Sequence, residues 1–197
     1  NPRNTLAGIA VPTRAGMSHR QIQNALLTFP GVLRRQEVVG EHNGIVVIDD
    51  FAHHPTAVRE TIAAIRRFYP GSRLFAIFEP RTNSSRRNVF QAAYADSFQE
   101  ADFICIKNPP DLDKVPLSER LDPRRLVDDI SNRGKAARFF ENSQEMLAFL
   151  GAQARPGDVL LCMSNGSFDG VPQRLWDAVS NGARRASGQR VPANESA

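Results

Sequence analysis

The sequence predicts an α/β fold: a Rossmann-like, mostly parallel sheet flanked by helices and entered through a short helical segment. Three observations carry this. Five short apolar runs (Ile45–Ile48, Leu74–Phe78, Phe103–Ile106, Ala137–Phe140 and Val159–Met163) are continuous rather than alternating, the pattern of strands buried on both faces. Amphipathic helical stretches lie between them, and helices are the usual crossovers between parallel strands. With 197 residues, 41% apolar and 23% charged, the chain can bury a core of ordinary size.

Residues 1–36 read as two helices and a hinge. Thr5–Ala15 is small and apolar and is ended by Gly16. Ser18 is placed to cap a second helix carrying Ile22, Leu26 and Leu27, which Pro30-Gly31 stops. This stretch is expected to be the end of a preceding domain. Residues 37–185 then form the sheet domain. Glu37–Gly40 and the turn at His42–Gly44 predict a hairpin strand at its entry. Val58, Ile62, Ile65 and Tyr69 mark one helix face, and Phe90, Tyr94 and Phe98 mark a second. Further helices are expected from Pro123 to about Arg133, from Ser143 to Ala154, and from Val171 to about Arg184. Residues 186–197 are polar and small, and are expected to form a disordered tail.

Ligands of open α/β sheets bind beyond the carboxyl ends of the strands. Four polar clusters follow strands here: DDFAHHPT (49–56), EPRTN (79–83), NPP (108–110) and SNGS (164–167). In the first, Asp49 and Asp50 point to opposite sides of the strand. One carboxylate can therefore face the rim and bind a ribose hydroxyl or support a metal. Pro55 suits the first turn of a helix, which puts His53 and His54 at an anion-attracting helix N-terminus. The plainer alternative is that one histidine caps the helix and one aspartate pairs with an arginine.

Composition narrows the function further. Cys105 and Cys162 are the only cysteines, each inside an apolar run, which argues for a reducing compartment and against a disulfide framework or zinc site. With no apolar run near the roughly 18 residues of a membrane span and no leader pattern, a soluble cytoplasmic protein is expected. The formal charge is +4, and arginines recur in pairs such as Arg34/Arg35, Arg66/Arg67 and Arg86/Arg87. No aromatics interleave with them, so they are read as solvated helix faces rather than a nucleic-acid surface. No GxGxxG follows the first strand, which argues against a dinucleotide dehydrogenase.

DDFAHHPTAV resembles the string that opens the C-terminal domain of Mur ligases, and GVLRRQEVVGEHNGIVVIDDFAHHP (31–55) resembles the family's hinge and first strands. Asn1 and Asn4 in NPRN are similar to two asparagines late in the family's central ATP domain. Within the family, EPRTNSS (79–85) and MSNGSFDG (163–170) look like segments of the branch that joins the tripeptide L-Ala-γ-D-Glu-meso-diaminopimelate to UDP-N-acetylmuramate. Thr82 and Ser84 exchange Ser and Thr. Asp169 stands where that branch has glycine, at a position that demands left-handed backbone.

The resemblance implies an ATP- and Mg²⁺-dependent amide ligase acting through an acyl phosphate. UDP-N-acetylmuramate and murein tripeptide would be its substrates, and no metal ligand would lie in this chain. It places Asn1 and Asn4 near the adenine, Arg35 on the nucleotide, Asp50 on its ribose, and His53 at the incoming amine as the catalytic residue. Arg81, Asn83, Ser164, Asn165 and Ser167 would bind the peptide. For Arg81 the plainer alternative is an ion pair with Glu79 or Asp169; for residues 164–167 it is a strand-to-helix turn. The phosphate-binding GxxxxGKS or GxxxxGKT does not occur in the sequence, so the chain alone is expected to be inactive. Two competing functions are the muramate–L-alanine ligase and a non-catalytic murein-peptide-binding module.

Overall fold

The computed structural model describes residues 2–29 and 31–186. The chain divides into two compact units, Asn1–Leu33 and Arg34–Ala197.

The first unit is a helix pair, α1 (Pro2–Arg14) and α2 (His19–Thr28). Ser18 is the expected N-cap. Its hydroxyl accepts from Gln21 N at 3.4 Å, and the Gln21 side chain accepts from Ser18 N at 2.9 Å. That reciprocal box satisfies two of the donors a helix start leaves orphaned. α1 starts at Pro2, three residues before the apolar stretch at Thr5; proline is well suited to a first turn. Asn1 and the expected tail beyond Ala186 lie outside the described residues.

The second unit runs β1 (Glu37–His42), β2 (Ile45–Asp50), α3 (Pro55–Phe68), β3 (Arg73–Phe78), α4 (Gln91–Ser97), β4 (Phe103–Lys107), α5 (Pro123–Ser131), β5 (Ala136–Phe140), α6 (Ser143–Gln153), β6 (Asp158–Met163) and α7 (Val171–Ala186). Every apolar run of the sequence is a strand. The sheet order is β1-β2-β6-β3-β4-β5. β1 is antiparallel to β2 and the other pairings are parallel. Asn43 and Gly44, at φ 51° and 73°, make the two-residue turn that a tight hairpin requires. Trp176 of α7 lies flat on Gly40 of β1, where a Cβ would meet its ring at 2.6 Å.

From β2 through β3 and β4 to β5 the chain steps in one direction, and right-handed crossovers then place α3, α4 and α5 on one face. Their Val58, Ile62, Tyr94 and Leu126 share a core with Ile48, Ala76, Phe78 and Leu161. The step from β5 back to β6 reverses direction and puts α6 on the other face, where α7, following β6, also packs. There Met146, Leu150, Val171 and Leu175 pack on Val47, Ile77 and Cys162. β6 is buried along its whole length and sits between β2 and β3. Its exit loop turns to the α7 face, while theirs turn to the α3–α4–α5 face. The sheet's topological switch point is therefore at the C-terminal end of β6, the place where open α/β sheets form their ligand-binding crevice.

Reading the paired arginines as solvated is corrected for several of them. Arg66 donates to Glu100 O, Ser72 O and Asp102. Arg86, with its side chain 11% exposed, ties its own loop to Pro110 O and Asp111 O. Loop carbonyls left over at strand ends need donors, and a guanidinium supplies five.

Candidate functional site at the switch point

The loops after β2, β3 and β6 are joined edge to edge. Ser164 N donates to Asp50 O at 3.1 Å, and Glu79 N to Met163 O at 3.1 Å. This brings Asp50, Glu79, Arg81, Ser164 and Asn165 to one rim, with His53 just beyond.

After β2, both plainer alternatives hold. Asp49 pairs with Arg34 Nε at 2.9 Å, while Arg34 Nη2 donates to Ser164 O at 2.5 Å. Burial raises the Asp49 pKa, outweighing the opposing pull of Arg34. Asp50 is 3% exposed. Its carboxylate accepts from Gln36 N at 2.9 Å, Ala52 N at 2.7 Å and the Thr61 hydroxyl at 3.4 Å. Turned inward in this way, it fastens the segment before β1 to β2 and α3 rather than presenting an open acceptor. Arg35 is exposed, its guanidinium 5.6 Å from the Phe51 ring centre. Of the residues expected at the nucleotide, Arg35 is thus exposed and Asp50 is buried with its carboxylate already hydrogen-bonded. Asn4 lies in α1 of the other unit.

The two histidines separate cleanly. His54 is the N-cap of α3, its Nδ1 accepting from Thr56 N at 3.3 Å. His53 Nδ1 lies 3.0 Å from Phe51 O. A carbonyl can only accept, so Nδ1 carries the proton and Nε2 is left as the basic nitrogen of the neutral ring. The Tyr94 hydroxyl donates to His53 O, fixing the backbone from the core side.

After β3 and β6, Glu79 is fully buried. It accepts from Lys107 Nζ at 2.6 Å and from the Ser164 hydroxyl at 2.9 Å. Arg81 Nη1 is 3.6 Å from the same carboxylate, and its side chain remains 35% exposed. The ion pair offered as its alternative is thus present, but loose. Ser164 is itself buried, with its hydroxyl spent on Glu79 and on Gly166 N at 3.1 Å. Asn165 is half-buried, and its Oδ1 lacks a hydrogen-bond partner. Ser167 is exposed and starts the turn Phe168–Gly170. Asn83 lies on the outer loop, where Oδ1 accepts from Arg86 at 2.7 Å.

Asp169 takes the left-handed conformation its glycine-like position demanded, at φ 50°. Its carboxylate reaches Lys107 at 2.8 Å and the Ser143 hydroxyl at 2.5 Å, and these bonds, the lysine's first, hold its pKa down. Burial alone would lower the Lys107 pKa, but Asp169 and Glu79 together raise it. Sequence reasoning named Glu79 only as a possible partner of Arg81 and passed over Lys107. The available signal was positional: each is a charge placed directly after an apolar strand run.

Among the described residues, no group of three or more His, Cys, Asp or Glu is placed to hold a metal ion. No helix among them is long and apolar enough to cross a membrane.

Residues 34–166 match the family described as Mur ligase, glutamate ligase domain. The chain belongs to the Mur ligase family. It is a Mur ligase C-terminal domain and resembles ligases of two specificities. It is 40% identical over 181 residues to the UDP-N-acetylmuramate--L-alanine ligase of Roseiflexus sp. (strain RS-1), covering 91% of this chain and 37% of that protein. It is 33% identical over 187 residues to the UDP-N-acetylmuramate--L-alanyl-gamma-D-glutamyl-meso-2,6-diaminoheptandioate ligase of Escherichia coli (strain K12), covering 94% of this chain and 39% of that one. The crystal structure of a murein peptide ligase from Psychrobacter arcticus 273-4 superposes with a TM-score of 0.70 at 31% identity, covering 90% of this chain and 36% of that one. The chain thus spans about two fifths of the curated relatives' length.

Proposed function

We propose that this Mur ligase domain serves the joining of L-Ala-γ-D-Glu-meso-diaminopimelate to UDP-N-acetylmuramate. The observation that carries the reading is Arg81. Its guanidinium sits at the switch point, partly exposed and only loosely held by Glu79. A planar donor fork in that state suits the bidentate capture of a peptide carboxylate. Asn165 lies in the loop after β6, and its buried, unpartnered Oδ1 would accept from a peptide N–H only after that loop shifts to expose it.

In this reading ATP with Mg²⁺ would supply an activated lactyl carboxylate, an acyl phosphate, from which phosphate leaves as the amide forms. The residues of this chain hold the peptide and present its amine. His53 Nε2, left basic by the Nδ1 bond to Phe51 O, takes the proton released as the amine attacks. Arg35 meets the nucleotide phosphates from the exposed side of Phe51. Asp50 acts by holding the hinge segment in place. The chain alone releases no ADP.

A second reading, ligation of free L-alanine, is favoured by the 40% identity to an L-alanine ligase. Steady-state ADP release by the full-length protein, with tripeptide or with L-alanine as the varied amine, decides between them. A higher kcat/KM for tripeptide supports the proposal. A higher value for L-alanine overturns it.

A further inference from the structure

Arg81 shares its carboxylate neighbour with a second, closer cation. Glu79 is completely buried, and two cations lie within reach: Lys107 Nζ at 2.6 Å and Arg81 Nη1 at 3.6 Å. Lys107 takes one carboxylate oxygen and the Ser164 hydroxyl takes the other. The same ammonium reaches Asp169 at 2.8 Å. Lys107 is itself 8% exposed in its side chain. It therefore lies inside the rim, between the end of β3 and the turn after β6, rather than in the crevice. One compact ammonium on a flexible stem bridges two carboxylates on different loops, which a rigid fork does less well.

We propose that Lys107 is a positioning residue. By neutralising Glu79 and Asp169 together, it keeps the Arg81 guanidinium from closing onto them and leaves it to the carboxylate of an incoming peptide. The proposal rests on the reading of Arg81 given above. Its physical basis is that a carboxylate without solvent must find a cation. Without Lys107, the cation already 3.6 Å from Glu79 is Arg81. Ligand and protein would then compete for the same donors.

Two measurements on Lys107→Met test this. In a crystal structure of the variant chain, Arg81 should close on Glu79 from 3.6 Å to hydrogen-bond range, about 2.8 Å. An unmoved Arg81 overturns the proposal, whatever the protein's substrate. In the full-length protein, kcat/KM is compared for tripeptide and for the same peptide with its carboxylates converted to carboxamides. Wild type should prefer the carboxylate form by about tenfold or more, and Lys107→Met should bring the ratio to within about twofold of one. A lysine that only stabilises the fold would lower both substrates alike and keep the ratio, which overturns the proposal. Should Lys107→Met not fold, Glu79→Gln/Lys107→Met/Asp169→Asn removes the competing carboxylates as well. That variant should retain the wild-type preference, and losing it counts against the proposal. A wild type that ligates no tripeptide sinks the functional reading alone, because the crystal structure still decides the role of Lys107.

Discussion

Gly166 lies directly under the Arg81 side chain: a Cβ on the glycine would run into Arg81 Cδ and Nε and meet Cζ at 2.9 Å. The turn after β6 therefore sets where the arginine of the β3 loop can rest. Gly166 is not among the glycines with positive φ, so its lack of a side chain serves that approach and not the backbone.

Gly166→Ala is accordingly expected to displace Arg81 while leaving the fold intact. The atoms in the way belong to a flexible side chain, so the change in unfolding free energy should stay within about 1 kcal/mol. Tripeptide kcat/KM in the full-length protein should fall by about tenfold or more, with the KM for ATP unchanged. Unaltered peptide kinetics would show that the position of Arg81 does not matter to the substrate.

Arg81→Ala should cost about 1.5–3 kcal/mol in kcat/KM for tripeptide, the range for hydrogen bonds to charged groups. A fully desolvated pair would cost more, but this side chain is 35% exposed. Lysine at this position should restore only part of the loss, since an ammonium lacks the bidentate fork. If the alanine variant loses ATP affinity instead, Arg81 belongs to the nucleotide.

Asp50→Ala is expected to act first on stability. It removes the acceptor for two backbone N–H groups and for the Thr61 hydroxyl in a buried place. The expected cost is about 1–3 kcal/mol in urea unfolding. A stable variant with a raised KM for ATP would return Asp50 to the ribose.

The pH dependence of the Lys107 cluster has a definite sign at each end. The Asp169 pKa is lowered in the fold, so its contribution is present above the ordinary carboxylate value of about 3.9 and is lost as pH falls through the folded one. Lys107 is raised, so its contribution is present below about 10.4 and is lost as pH rises through its folded value. Asp169→Asn should therefore be less stable than wild type at neutral pH. The two curves of stability against pH should converge once the pH falls below the lowered folded value of Asp169. A gap that persists in acid would mean that backbone strain at φ 50°, rather than charge, sets the difference.

Cys105 and Cys162 flank Ile77 on neighbouring strands and are both fully buried. Burial pushes both thiols well above the usual range. Neither should react with a thiol reagent at pH 8 while the chain is folded, and both should react at once in denaturant. Reaction of one thiol under native conditions would reveal local opening of the sheet centre.

Hydrophobic period and turn chemistry are local properties, and what depends on them was legible in the sequence. Runs such as Val159–Met163 had to be strands buried on both faces. Ser18 had to cap α2, and Pro55 had to follow a cap. Left-handed backbone at Asp169 was suggested only by the resemblance, through the glycine that the similar family segment carries there. What depended on pairing between distant segments was not legible. Nothing local says that β6, the last strand, inserts between β2 and β3, yet that insertion brings EPRT and SNGS to one crevice. The same folding turned Asp50 inward, gave Asp49 to Arg34, and put Arg86 on the carbonyls of a loop 24 residues away. It also joined Glu79, Lys107 and Asp169, each from a different loop or strand end. A charge at a strand end finds its partner only once the strand order exists, because the energy of a buried ion depends on the three or four groups packed around it.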